Sequence, residues 1–270
     1  MIDLKLLEKS KKKFMRKFLN KYIQNKYVKK IRVIINYKPK PVELKNINES
    51  YSVSDAFIWR TDKGFNTIFK FKDIPNFFYN INSSAHISFF NKENINIKNI
   101  SFKELSNINE LQINQKFLNN IKDYGTFYIY HKSNFKKNPN IILSNRCYVG
   151  YYKNNQMPCY VHGNTLVKSF GLNSENFYSN FVQKSPLFEQ NYFIQNNFFY
   201  FDKTELCICN PTSEKIIFKI NSQKYELMPW NMKIIEQKKN VKLINIKSKC
   251  LFLRPIIFNY KNEFFDVYHG

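Results

Sequence analysis

The chain has 270 residues, of which 43% are hydrophobic and 17% aromatic, and its net charge is +23. This length and hydrophobic content can bury one large core or two modest ones, and we expect two, with no disorder beyond the ends. With 6 glycines and neither a P-loop nor a dinucleotide-binding fingerprint, the sequence excludes kinases, NTPases and Rossmann oxidoreductases.

The positive charge is concentrated at the start of the chain. Residues 1–40 hold 14 Lys or Arg against Asp3 and Glu8, a net of +12, so the other 230 residues carry +11. Almost all of the positive residues are Lys, and the remainder of the chain is rich in Asn and Ile, which also have AT-rich codons. Genomic composition is therefore an alternative explanation for the charge of this remainder.

The chain has an odd number of cysteines: Cys147, Cys159, Cys207, Cys209 and Cys250. The start of the chain lacks the uninterrupted apolar stretch of a signal peptide, so we expect none, and no window approaches the roughly 18 apolar residues of a membrane span. We therefore expect free thiols in a reducing cytoplasm.

Residues 4–30 have the period of a basic amphipathic helix. Apolar residues recur every three or four positions, and lysines occupy the remaining surface. Such a helix can pack on the rest of the protein, lie on an anionic membrane surface, follow a phosphate backbone or bind a protein partner. The pairs Lys38-Pro39 and Lys40-Pro41 end the segment, because a residue before proline is pushed out of the helical region.

After Tyr51 the apolar pattern alternates, as in a strand. Phe57 and Trp59 point to one side, residues 61–64 provide a turn that ends in glycine, and residues 65–71 alternate back. The sequence predicts a β-hairpin here, with Arg60 and Asp62 as a charged pair at its turn.

The second part of the chain repeats the strand order of the first. The endings YIYHK (128–132) and DVYHG (266–270) are alike, as are SFFNKEN (88–94) and CICNPTS (207–213). We expect an all-β protein with two antiparallel β-sandwich halves, Ig-like or jelly-roll-like, and an internal duplication would explain the repeat. The predicted units are a basic helix and linker (1–40), a first sandwich (41–135), a connecting hairpin region (136–185) and a second sandwich (186–270).

In the second half a strand leads into an N-P-[ST] turn at 210–212, then a further strand and a Leu-x-Pro corner at 227–229. Over about 65 residues this order resembles the Ig-like β-sandwich modules attached to many bacterial enzymes and surface proteins. The resemblance implies a sandwich and carries over no functional residues.

The stretch 145–164 predicts a hairpin and holds the densest set of reactive side chains. Cys147, Cys159 and His162 would lie on neighbouring strands, and with the Cys-x-Cys pair of the second half they have the donors of a zinc site. The spacing argues against zinc, because structural sites usually take two ligands from one tight turn, which Cys-x-Cys in a strand lacks. We predict no metal and no cofactor, with the cysteines as small buried side chains.

Three of the four histidines, His131, His162 and His269, end predicted strands. Strand ends meet at loops, where binding sites are built, and aspartates nearby could complete an acid–base pair or a metal site. Local hydrogen bonding of each histidine is the alternative interpretation. His162 is the preferred candidate, because the neighbouring Gly163 and Asn164 allow an unusual backbone and a second polar group.

The predicted ligand-binding residues come from the hairpin turn, from residues 145–164 and from the last strand. They are Trp59, Arg60, Asp62, Arg146, His162, Asn164 and His269. We expect at least three of Trp59, Arg60, Arg146, His162 and His269 to converge on one site.

No sequence signature of a nucleophilic enzyme is present. Aromatic and basic residues interleave at 69–72 and 151–153, and such surfaces stack on sugar rings or bases, although any half-exposed strand alternates in this way. We expect a non-catalytic binding or accessory module that contacts a glycan, a glycolipid precursor or a partner enzyme. It would be cytoplasmic, with residues 1–30 as its candidate contact to an anionic membrane. The alternatives are a metal-dependent enzyme that uses strand-end histidines and carboxylates, and a nucleic-acid-binding protein.

Deletion of residues 1–30 is expected to leave a folded β protein, because the alternating pattern begins after Tyr51. It removes 11 Lys or Arg together with Asp3 and Glu8, which lowers the net charge from +23 to +14. If the segment contacts a membrane, binding to anionic vesicles falls by about 1 kcal/mol for each surface-adjacent Lys or Arg that is removed. Circular dichroism and vesicle co-sedimentation measure the two effects, and loss of the β signal would show instead that the helix belongs to the core.

Overall fold

The computed structural model describes part of the chain. The described residues are 27, 40–41, 52–53, 56–73, 76–77, 80, 82–106, 108–133, 147–154, 156–163, 183–184, 189–194, 200–210, 214–237, 243–250 and 253–270. The predicted N-terminal helix lies outside them except for Tyr27, which is helical and exposed. Within these ranges no helix has the length and apolar character needed to cross a membrane.

Nearly all of the regular structure in these ranges is β-strand. The first ten strands are β1 (Lys40–Pro41), β2 (Ser52–Val53), β3 (Phe57–Arg60), β4 (Phe65–Phe71), β5 (Ser83–Asn91), β6 (Asn96–Phe102), β7 (Asn109–Ile113), β8 (Tyr124–Ser133), β9 (Cys147–Lys153) and β10 (Cys159–Val161). The others are β11 (Gln183–Lys184), β12 (Gln190–Ile194), β13 (Lys203–Cys209), β14 (Ile216–Ile220), β15 (Gln223–Leu227), β16 (Met232–Gln237), β17 (Ile244–Ser248), β18 (Ile256–Lys261) and β19 (Phe264–His269). The prediction of an all-β protein is confirmed.

The strands form four main antiparallel sheets and one short pair, β1 with β11. Sheet I has the order β2-β8-β5-β6, with β3 also paired to β8. Sheet II has the order β10-β9-β4-β7, sheet III the order β16-β13-β18-β19, and sheet IV the order β12-β17-β14-β15. The predicted hairpin within residues 145–164 is present as β9 and β10, in which Cys159 lies opposite Tyr151.

The hairpin predicted around Arg60 is instead a corner between two sheets. A single 3-10 turn at Asp62–Gly64, with Lys63 and Gly64 at positive φ, follows β3 as expected. However, β3 pairs with β8 in sheet I, whereas β4 pairs with β7 and β9 in sheet II. The Thr67 hydroxyl accepts from the amide of Arg60 and donates to its carbonyl, which satisfies the backbone where the chain leaves one sheet for the other.

Two hydrophobic cores share sheet III. The first core contains side chains of sheets I, II and III, and the second lies between sheets III and IV. Because side chains alternate along a strand, β13 contributes Cys207 and Cys209 to the first core and Leu206 and Ile208 to the second. The rings of Tyr151 in sheet II and Phe258 in sheet III meet in the first core at a centroid distance of 4.8 Å, and in this way the sheets interlock.

The four sheets form a propeller-like ring rather than two clear sandwiches. The reason is that sheet III is buried on both faces, so that strands from both parts of the chain surround the first core. The connecting region contributes β9 and β10 to sheet II. The predicted unit boundaries and the internal duplication remain predictions.

Trp59 is a core residue of sheet I. Its side chain is fully buried, and its indole Nε1 donates a hydrogen bond of 2.9 Å to the carbonyl oxygen of Phe90. Gly125 lies opposite Trp59 in the β3–β8 register. A Cβ atom at position 125 would stand 2.0 Å from the Phe90 oxygen and 2.8 Å from the Trp59 Nε1 atom. Any residue with a side chain at position 125 would therefore clash with this hydrogen bond, and glycine avoids the clash.

Gly125→Ala is expected to lower the free energy of unfolding by about 2 to 4 kcal/mol, since it overpacks the core and displaces a buried hydrogen bond. Denaturant unfolding followed by tryptophan fluorescence measures the loss. The control is Gly64→Ala, where φ is +79° but no atom lies within 4 Å of the new Cβ. There the strained backbone alone should cost about 1 kcal/mol. Equal losses for the two variants would contradict this account.

Candidate functional site

The outer face of sheet II carries a row of aromatic and polar side chains. Along β9 the inward positions are buried, which leaves Tyr148, Gly150 and Tyr152 on the outer face. The strand register then places further residues beside them on the neighbouring strands. We call this surface the tyrosine face and define it by Lys70, Glu110, Gln112, Tyr148, Tyr152, Tyr160 and His162.

Tyr160 lies flat on the sheet because the residue opposite it is glycine. In the β9–β10 register Tyr160 faces Gly150. A Cβ atom at position 150 would stand 2.6 Å from Cε1, 2.9 Å from Cδ1 and 3.0 Å from Cζ of the tyrosine ring. The ring thus occupies the volume that any other residue would fill, and it remains 40% exposed. Such a ring presents an open aromatic surface to solvent.

Charged and polar groups surround this ring. The Lys70 Nζ atom lies 5.2 Å from the centroid of the Tyr160 ring and 3.2 Å from the Glu110 carboxylate. Hydrogen bonding to Tyr160 and to Glu110 raises the pKa of Lys70, so the ammonium form is favoured at this face. Nearby, the Tyr152 hydroxyl donates a hydrogen bond of 3.2 Å to the side-chain oxygen of Gln112.

His162 belongs to the tyrosine face. Its imidazole is exposed, and its ring centroid lies 4.8 Å from that of Tyr148 at an interplanar angle of 41°. Its neighbour Gly163 accepts a hydrogen bond of 2.9 Å from Nε2 of His269, in the last strand. The His269 side chain therefore contacts the backbone next to His162. This hydrogen bond connects the last strand of sheet III to the end of the β9–β10 hairpin of sheet II.

Arg60 and Asp62 are paired as predicted, but inside the protein. The Arg60 side chain is fully buried, and its Nε and Nη2 atoms donate to the two Asp62 carboxylate oxygens at 2.8 and 2.7 Å. Its Nη1 atom donates to Glu205 at 2.7 Å. The guanidinium carbon lies 4.4 Å from the ring centroid of Phe65 and 4.6 Å from that of Phe258, so two cation–π contacts also stabilise it.

Glu205 is the acceptor that joins this cluster to sheet III. Its carboxylate accepts from Arg60, from the Tyr260 hydroxyl at 2.6 Å and from the ammonium groups of Lys63 at 2.6 Å and Lys203 at 3.1 Å. Burial alone would raise the pKa of Glu205, but the charge of Arg60 and these hydrogen bonds lower it well below its ordinary value. The carboxylate is therefore ionised and fully occupied by structural partners.

Trp59 reaches into sheet I and is not part of the tyrosine face. Arg146 and Asn164 lie outside the described residues, so the convergence of the predicted ligands remains a prediction. His131 is buried, and burial lowers its pKa to about 4, against a smaller raising effect of Asp73. Among the described residues, no three His, Cys, Asp or Glu side chains are grouped so as to hold a metal ion.

The cysteines are free thiols, and all except Cys159 are buried. Burial raises the pKa of Cys207 to about 12, in spite of the positive charge of Arg60 nearby. A thiol with this pKa remains protonated at neutral pH and behaves as a small apolar side chain.

Sequence reasoning missed Tyr148 and Tyr160 as surface residues. The signal was the alternation Tyr-x-Gly-x-Tyr in β9 together with a tyrosine in the next strand, but only the register shows that Tyr160 covers Gly150. Comparison of the chain with protein-family models, with curated proteins and with solved structures finds no match.

Glu205→Gln is expected to lower the free energy of unfolding at pH 7 by about 3 to 5 kcal/mol, because it removes the anion that neutralises buried Arg60. Since folding lowers the pKa of Glu205, its contribution is complete above the ordinary pKa of about 4.3 and is lost as the pH falls through the folded value.

The wild-type protein should therefore lose stability steeply below about pH 4, while the Glu205→Gln variant loses less over the same range. Denaturant titrations between pH 3 and pH 7 test this difference. The control is Glu226→Gln, because its exposed ion pair with Lys215 should add nothing measurable to stability. A variant that is as stable as the wild type would show that the buried cluster is energetically neutral.

Proposed function

We propose that the protein is a binding module whose tyrosine face holds a glycan. The observation that carries the proposal is the flat, exposed ring of Tyr160 on Gly150. The faces of pyranose rings present C–H groups, and an aromatic ring offers them a large rigid contact at little cost in side-chain entropy. A ring held flat against a sheet is already in the orientation that stacking requires, which reduces the cost of ordering it on binding.

The polar groups around Tyr160 suit sugar hydroxyls. Lys70 can donate hydrogen bonds, Glu110 can accept them, and the Gln112 carboxamide and the His162 imidazole can do either. In the strand register Lys70 and Glu110 share the row of Tyr148, and Gln112 shares the row of Gly150 and Tyr160. The His162 ring lies against Tyr148. Fixed polar groups around an apolar contact are the usual means by which a binding surface orients a small ligand.

The sugar can be part of a free glycan or of a glycolipid precursor, which share this chemistry. A cytoplasmic location, peripheral to an anionic membrane through residues 1–30, stays part of the proposal and concerns residues that lie outside the described ranges. The protein partner in this proposal is an enzyme that acts on the same glycan.

Tyr160→Ala is expected to weaken binding to a glycan by about tenfold or more, which corresponds to the loss of one stacked ring. An immobilised panel of neutral and acidic oligosaccharides identifies the strongest ligand for the wild type, and titration calorimetry then compares the variants on its soluble form. Gly150→Ala should have a similar effect although Tyr160 itself is unchanged, because the new methyl group pushes the tyrosine ring off the sheet.

The matched control is Phe193→Ala, which removes an aromatic ring that is 52% exposed on sheet IV, away from the tyrosine face. It should leave the affinity unchanged. Circular dichroism confirms that each variant is folded. Equal affinities of Tyr160→Ala and wild type, or the absence of any bound oligosaccharide, would refute a glycan site at this face.

A further inference from the structure

The outer face of sheet IV brings three lysines into one line across neighbouring strands. Lys247 of β17 lies opposite Lys219 of β14, and Lys219 lies opposite Lys224 of β15. The residues before and after each of these lysines in β14 and β17 include buried core side chains, so the lysines point outwards. We call this set the lysine row.

The lysine row is a concentration of positive charge. Like charges directly opposite each other on adjacent strands are unfavourable, and strands lie about 4.8 Å apart. Glu189 approaches Lys219 at 3.3 Å, and Glu226 is shared between Lys224 at 3.6 Å and Lys215 at 3.0 Å. Lys247 has no carboxylate within salt-bridge distance among the described residues. The face therefore has four ammonium groups and two carboxylates.

An exposed aromatic ring and two amides lie beside the lysine row. Asn191 of β12 is opposite Lys247, and two residues further along β12 the ring of Phe193, 52% exposed, is opposite Asn245. The neighbouring side chains Tyr192 and Ile194 face the second core, so Phe193 projects to solvent. This face thus places a stacking surface and amide groups next to a line of cations.

We propose that the outer face of sheet IV binds single-stranded nucleic acid, with the lysine row on the phosphates and Phe193 stacked on a base. Single strands are recognised by a positive surface that follows the backbone and by aromatic side chains that stack on unpaired bases. A duplex hides its bases from such a ring. The exposed amide of Asn191, beside Lys247, is suited to a base edge rather than to lipid chains. The proposal is independent of the glycan site, because the tyrosine face belongs to sheet II.

The main test is the salt dependence of binding to a fluorescein-labelled 20-nucleotide oligo(dT), measured by fluorescence anisotropy on the full chain. Each phosphate contact contributes about 0.7 to the slope of log K against log salt concentration for a single strand. The triple variant Lys219→Gln, Lys224→Gln and Lys247→Gln should therefore reduce that slope by about 2 and weaken binding at every salt concentration.

The matched control removes the same charge elsewhere, by replacing the exposed lysines Lys103, Lys116 and Lys122 with Gln. Because the full chain is used throughout, the basic residues 1–40 contribute equally to every variant. The control should leave the slope almost unchanged. If the two triple variants have the same slope, the binding is only non-specific attraction by net charge and the proposal is wrong.

Phe193→Ala separates stacking from charge. Loss of one stacked base should weaken binding to oligo(dT) between about fivefold and a hundredfold while leaving the salt slope unchanged. Phe264→Ala, on another sheet, should change neither quantity. Unchanged affinity of Phe193→Ala, or no binding of oligo(dT) by the wild type, overturns the proposal. If the triple lysine variant and Phe193→Ala lose binding to phosphatidylserine vesicles but not to oligo(dT), the proposal is also wrong and the face binds a lipid surface instead.

Discussion

The buried guanidinium of Arg60 is the constraint around which the two parts of the chain are joined. A charge that is fully excluded from water is tolerated only when counter-charges and hydrogen bonds surround it. Asp62 supplies one partner from the same turn, and Glu205 supplies the other from sheet III. A buried ion pair often stabilises a protein no more than well-packed apolar residues of similar volume, but Arg60 meets Glu205 only when sheet III is correctly docked on β3.

The residues of sheet III suit its place between the two hydrophobic cores. A sheet with one face in water alternates between apolar and polar residues, whereas β13 and β18 have buried residues on both faces. The sheet can be covered on both sides because sheets I and II enclose one face and sheet IV the other. The two surfaces proposed to bind ligands, on sheets II and IV, are both outer faces, and the inner faces of these sheets contribute to the cores on opposite sides of sheet III.

Local features of the fold could be predicted from the sequence, and pairings between distant strands could not. Alternation identified many of the strands, including β3, β4 and the hairpin of β9 and β10, and the charges at the turn after β3 marked the pair Arg60 and Asp62. A short turn after a strand does not specify whether the next strand pairs with it, and the chain passes to another sheet after β3, and again after β13. Glu205, 145 residues from Arg60, carries no sequence mark of its partner, and neither Tyr160 on Gly150 nor the lysine row is visible without the strand register.

The separation between Arg60 and Glu205 has a consequence for biogenesis. During translation at about 5 to 20 residues per second, the 145 residues between them take about 7 to 30 seconds to emerge. Throughout this interval the first core lacks the side chains of sheet III, and Arg60 has only Asp62 as a counter-charge. Until sheet III emerges, the nascent first half therefore exposes a Phe-rich surface and unpaired strand edges, which is the kind of surface through which partly folded chains aggregate.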